Sequence, residues 1–178
     1  MRARRVSFIT AFYLLALCLC GTSCRDSETA PKQTPIGNFN MGEKALVGSL
    51  IYTVIDTKWE VSLGDPPTPR VPSHRFYLLT VSVVNTGSGP ASIPAFTLID
   101  DSGQNYQELD NGEGVPDWIG LARRVQPADS LKGNIAFDVP QKHFKLRVAD
   151  EEDKFSLVDI PFSLGTAPTD DGIKAPPR

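Results

Sequence analysis

Residue types that could do chemistry are few in this chain and poorly grouped. Asp100-Asp101-Ser102-Gly103 begins like a calcium loop. Such a loop needs more oxygen ligands before its glycine and a Glu after it. Gly103 comes too early, so a turn between Ile99 and Tyr106 is the better reading. Asp110-Asn111-Gly112-Glu113-Gly114 could cradle a cation weakly, but an acidic glycine-rich loop needs no metal to form. The two histidines, His74 and His143, lie in different loops with no i,i+4 spacing and no cysteine partner. That excludes a zinc pattern, and both read as solvated loop residues. Asp150 to Asp153 gathers carboxylates at a hairpin tip, where a charge run is ordinarily just solvated. No G-x-S-x-G elbow occurs. The glycine-rich Asn85-Thr86-Gly87-Ser88-Gly89 precedes a strand, so it offers a phosphate no helix N-terminus. No catalytic residue, metal site or cofactor follows from these motifs.

Trp118 is the most informative of the remaining side chains. It stands in "VPDWIGLARR", between an acidic loop and Arg123-Arg124. Aromatic residues and arginines are favoured at binding hot spots, so Trp118, Arg123 and Arg124 form a candidate binding patch. The competing reading is that Trp118 and Ile119 cap one end of the fold. Trp59 reads as core, because Val61 and Leu63 would share its face.

The chain of 178 residues suits one domain with tails. A hydrophobic content of 40% is enough for a core, and a charged content of 22% is an ordinary surface. The formal net charge is −3, and the leader holds Arg2, Arg4 and Arg5 with no acid, so the body is more acidic still. Such a charge gives no electrostatic case for nucleic acid. Cys18, Cys20 and Cys24 all lie in the leader, so the body has neither a disulfide nor thiol chemistry.

"MRARRVSFITAFYLLALCLCGTSC" has a basic start, an apolar run from Phe8 to Cys20 and the small residues Gly21-Thr22-Ser23. That is the plan of a secretory signal, with an apolar run below the ~20 residues that span a bilayer. Its end resembles a bacterial lipoprotein lipobox, although Gly21 stands where Leu is usual. The resemblance implies cleavage before Cys24 and lipid on that cysteine. Gly21-x-Ser23 also suits ordinary signal peptidase, which leaves free secretion open. Residues 24–41 read as the lipidated cysteine and a flexible tether. Residues 165–178, rich in Pro, Asp and Gly, read as a disordered tail.

The elements in between are strands. Tyr77, Leu79, Val81 and Val83 fall on one face of "FYLLTVSVVNTG", with Leu78, Thr80, Ser82 and Val84 on the other. That is a period of two. Asn85-Thr86-Gly87 supplies a turn through residues that tolerate positive φ, and the next strand starts near Ser92. Ile135, Phe137 and Val139 alternate likewise, as do Phe144, Leu146 and Val148. Leu50, Tyr52 and Val54 are followed by Trp59, Val61 and Leu63 in the opposite register, which predicts a bulge or a new strand. Phe155 and Leu157 give way to Ile160 and Phe162. Short strands with turns between them predict an all-β sandwich or barrel over residues 42–164.

"GEKALVGSLIYTV", "FYLLTVSVVNTG", "TLIDDSGQNY", "VQPADSLKGNIAFDVP" and "KLRVAD" occur in this order. Together they resemble bacterial extracellular immunoglobulin-like domains and are similar to the immunoprotective extracellular protein superfamily, most of whose members are lipoproteins without an assigned activity. The resemblance implies an immunoglobulin-like antiparallel sandwich at the cell envelope and transfers no catalytic residue. The function expected is a non-catalytic envelope module, anchored to the membrane by lipid and facing the periplasm or exterior, with an unidentified partner. The alternatives are a passive envelope component and an extracellular hydrolase or metal-dependent enzyme.

Overall fold

Alternation in the sequence becomes strand throughout the computed structural model, which describes residues 33–162. In chain order the strands are β1 (Asn38–Asn40), β2 (Ala45–Val47), β3 (Leu50–Glu60), β4 (Arg75–Asn85), β5 (Ala91–Ile93), β6 (Thr97–Asp100), β7 (Asn105–Gln107), β8 (Arg123–Val125), β9 (Ser130–Val139), β10 (Phe144–Ala149) and β11 (Phe155–Ile160). One sheet has the order β2-β3-β4-β9 and another β1-β11-β10-β6-β7, with β5-β8 as a short ribbon. Of the sandwich and barrel that the alternation allows, this is the β-sandwich, as the resemblance implies. All pairings are antiparallel except β1 with β11, which is parallel.

The two inner faces share one core. Tyr77, Leu79, Val81 and Val83 are all buried, and Ile135, Phe137 and Val139 join them from β9. Phe144, Leu146, Val148, Val158 and Ile160 face them from the second sheet in the same cluster. Fully burying one such side chain contributes ~1.5–3 kcal/mol, so the paired faces dominate stability. Tyr52 Oη ties the sheets together by donating to the Ala149 carbonyl at 2.6 Å, and its burial raises the phenol pKa well above the usual range.

The register change in β3 is a bulge within one strand. Val54 pairs with Val81 and Asp56 with Thr80, leaving Ile55 without a partner. Beyond it Thr57 and Trp59 turn inward, and Trp59 stacks on Tyr77 at 4.0 Å. Val61 does not share that face: it is 61% exposed, because the strand ends at Glu60.

Three further expectations need correction. The segment placed in the tether before residue 42 is partly sheet. Ile36 N–H donates to the Phe155 carbonyl at 2.8 Å, β1 pairs with β11, and Phe39 packs on the core. Three residues with asparagines at both ends carry no alternation to read. On β11 the inward set is Ser156, Val158 and Ile160, whereas Phe155 lies under the Arg147 guanidinium at 4.4 Å and Phe162 is exposed. Asn85 makes its turn through its side chain, without a positive φ. Its amide donates to the Gly89 and Val125 carbonyls at 2.8 and 3.0 Å, and its oxygen accepts from Gly87 N–H at 2.9 Å.

Asp100 and Asp150 build matching turns. Asp100 Oδ1 accepts from the backbone N–H of Ser102 and Gln104, and Asp150 Oδ1 from those of Glu152 and Lys154. Asp100 also accepts from the Ser102 hydroxyl and from Lys142, and these bonds hold its carboxyl well below the usual range. The DDSG stretch is thus a hairpin turn. The leader, Cys24 and the C-terminal tail lie outside the described residues.

Candidate functional site

The outer face of the β2-β3-β4-β9 sheet carries a concavity. Two loops fold over one end of that face because Phe76, Leu78 and Ala136 point outward and need cover. Leu63 and Val115 supply it, with Leu109 and Trp118 alongside. The loops lock onto each other and onto the sheet. Leu63 and Arg70 exchange backbone hydrogen bonds, and Arg70 Nη1 donates to the Asn111 carbonyl at 2.7 Å. Gly114 has φ +76 and lies against Gly64, so a Cβ there would come within 2.3 Å of backbone. Gly133 on β9 admits the Asp117 carbonyl, which accepts from Asn134 N–H at 2.9 Å. The acidic glycine-rich loop is therefore a packing device. Pairing of residues 117–119 with Asn134 also covers the open edge of β9, which would otherwise invite another chain.

Between these loops and β3 lies a groove of about 280 Å³, with Asp56, Lys58, Glu60, Thr80 and Asn134 among its lining residues. Its floor is fixed: Thr80 Oγ1 donates to Asn134 Oδ1 at 2.6 Å, and Asn134 Nδ2 donates to the Pro116 carbonyl at 2.8 Å. Lys58 Nζ lies 2.5 Å from Glu60 Oε1, and that hydrogen bond raises the lysine pKa. Asp56 Oδ1 accepts from Thr57 N–H at 2.8 Å. The bulge is what aims this set. Without the extra residue at Ile55, the period of two would send Asp56, Lys58 and Glu60 into the core. The sequence carried that signal as a register change, but the loops that wall the groove are not readable from alternation.

The three residues of the sequence-based patch part company. Trp118 is half-buried against the outer-face cluster, with Gly112 beneath its ring. Arg123 is buried, with its guanidinium 4.8 Å from the Phe96 ring centre and paired with Glu108. Arg124 faces solvent on β8. Neighbouring residues on a strand point to opposite faces, so Arg123 and Arg124 cannot form one surface. Trp118 belongs with the cap reading, and Trp118→Ala lowers stability by about 2–3 kcal/mol in a urea melt. A loss below about 0.5 kcal/mol would mean that the ring covers nothing.

His74 is a solvated loop residue, with its side chain 58% exposed and 3.8 Å from Asp138. His143 is not: its ring nitrogens lie 2.9 Å from Asp101 and 3.1 Å from Asp159. Among the described residues no group of three or more His, Cys, Asp or Glu is placed to hold a metal ion.

Comparison with solved structures returns proteins that share this fold. The yjhA protein of Bacillus subtilis matches 69% of this chain and 99% of its own, at 19% identity and a TM-score of 0.55. The secreted protein MPT63 of Mycobacterium tuberculosis matches 71% of this chain and 98% of its own, at 20% identity and a TM-score of 0.54. A candidate lipoprotein of Bacillus subtilis, ycdA, matches 67% of this chain at 18% identity and a TM-score of 0.54, and this chain covers 38% of it. At such identities the likeness shows the fold alone. No curated protein matches the sequence. Residues 39–157, most of the sandwich, match the model of the domain of unknown function DUF4352, and the chain belongs to that family.

Proposed function

We propose that this protein is a non-catalytic binding module of the bacterial cell envelope, held to a membrane by lipid on Cys24. It receives a polar ligand in the groove on the outer face of the β2-β3-β4-β9 sheet. The observation that carries this reading is the bulge at Ile55. It places three charged side chains in a groove whose floor and walls are already hydrogen-bonded. Bulges commonly re-aim side chains beside functional sites, and a fixed frame reduces the ordering cost of binding. The secreted and candidate-lipoprotein neighbours and the plan of the leader support the location. The groove is small and half-open, which suits a sugar-sized or side-chain-sized group.

A photo-crosslinker at position 58 in native envelope gives a defined adduct that one at Lys132, elsewhere on the same face, does not. Asp56→Ala abolishes the adduct while the melting curve moves by less than about 0.5 kcal/mol. Equal yields from positions 58 and 132 would instead indicate a passive envelope component. Cys24→Ala abolishes fatty-acid labelling and releases the protein from membranes. Stable anchoring takes more than one lipid chain, so incomplete processing also weakens retention. Undiminished labelling of this variant would remove the anchor.

A further inference from the structure

We propose that His143 is a proton-operated clamp that ties the β6–β7 turn to β11. Its Nδ1 lies 2.9 Å from Asp101 Oδ1 in the turn, and its Nε2 lies 3.1 Å from Asp159 Oδ1 on β11. Both neighbours are carboxylates, and an ionised carboxylate only accepts hydrogen bonds. A neutral imidazole has one N–H and one lone pair. It can satisfy one of the two and must set its lone pair against the other. Only the imidazolium donates to both, so closing the clamp requires the proton.

The surroundings favour that state. The charged groups facing the ring are Asp101 from the turn and Asp159 from β11. Lys142, next in the chain, is turned away to Asp100 Oδ2 at 2.9 Å. Lys145 stands opposite Asp159 in the β10–β11 register. Hydrogen bonding to Asp101 raises the imidazole pKa most, burial opposes it next, and the hydrogen bond and charge of Asp159 bring the balance upward. The ring is 30% exposed, so protons reach it from solvent.

The sign follows directly. A raised folded pKa makes the stabilisation complete below the unfolded value of ~6.5, and it is lost as pH rises through the folded value. Deprotonation turns one contact into two facing acceptors. Asp101 is 73% exposed and Asp159 41%, so the turn residue has more freedom to leave. Asp100 keeps the turn's own bonds to Ser102 and Gln104, so the turn loosens without unravelling. The clamp is closed below pH ~6.5 and opens as pH rises through the folded value.

The test follows the imidazole ring nitrogens of the full-length protein by NMR across pH, with His74→Gln used to assign the signal. Expected are a midpoint above ~6.5 and two protonated nitrogens on His143 below it. Asp101→Asn and Asp159→Asn each move that midpoint down. Hydrogen exchange of the Ser102 and Gln104 amides accelerates several-fold with the same midpoint in the wild type. In His143→Gln exchange is fast at every pH, apart from the ordinary base catalysis measured on an exposed reference amide. A midpoint at or below ~6.5, a single neutral tautomer well below that pH, or turn amides indifferent to the His143 titration would each overturn the clamp.

Discussion

Arg123→Met removes about 3–5 kcal/mol of stability, a large share of the ~5–15 kcal/mol that holds a domain folded. The side chains of Arg123 and Glu108 are 0% and 2% exposed. Arg123 Nη2 donates to Glu108 Oε1, and its Nε donates to the Gly120 carbonyl. Glu108 Oε1 also accepts from Phe96 N–H at 2.9 Å. Burial pushes the Glu108 carboxyl up, and Arg123 is the main force against it. Without the arginine a carboxylate is left in an apolar pocket with nothing to balance it, so it takes up a proton. The pH dependence identifies the cause. A carboxyl whose folded pKa is raised favours folding most where it is protonated, so the variant regains stability as pH falls from 7 towards 5. Glu108→Leu on top of Arg123→Met recovers most of the loss, because the desolvation cost of both charges disappears together. Urea melts of the single and double variants decide it. A double variant as unstable as the single one would show that Arg123 acts by packing on Phe96 rather than by neutralising Glu108.

Val81→Asp is the second large effect. Val81 is 2% exposed on the inner face of β4, opposite Val54 and Gly133. A carboxylate there has no partner and costs several kcal/mol, which unfolds a domain of ordinary stability. Ser82, one residue on, lies on the outer face between Thr53 and Lys132. Ser82→Asp costs about 1 kcal/mol or less, offset in part by the cross-strand lysine. Large losses in both variants would mean that the outer face is as dry as the inner one. Small losses in both would mean that β4 is not a core strand.

Strands long enough to alternate several times were legible. β4, β9 and β10 each repeat their pattern, and the phase change before Trp59 marked the bulge. Short or impure segments were not. β1 has three residues with one apolar side chain, and β11 hides its phase because a serine occupies a buried position while Phe155 packs outward on Arg147. Arg123 misled for a related reason. A charged residue reads as exposed unless its partner is known, and Glu108 lies 15 residues away. The contacts of His143 with Asp101 and Asp159 exist only once the strands are paired. Local pattern yields elements and faces, whereas the groove and the clamp are products of long-range pairing.

The parallel pairing of β1 with β11 has a mechanical consequence. Ile36 donates to Phe155, Leu157 to Gly37 and Met41 to Asp159, all through backbone groups and all between strands running the same way. Tension applied between the two ends of the domain enters at the start of β1 and leaves at the end of β11. It therefore slides one strand along the other and loads these bonds together in shear. In an antiparallel pair joined by a turn, the same pull would peel the bonds one after another. A sandwich held by its N-terminal side and loaded from its C-terminal side meets force with its hydrogen bonds acting in parallel, and its first yield is the release of this strand pair as a unit.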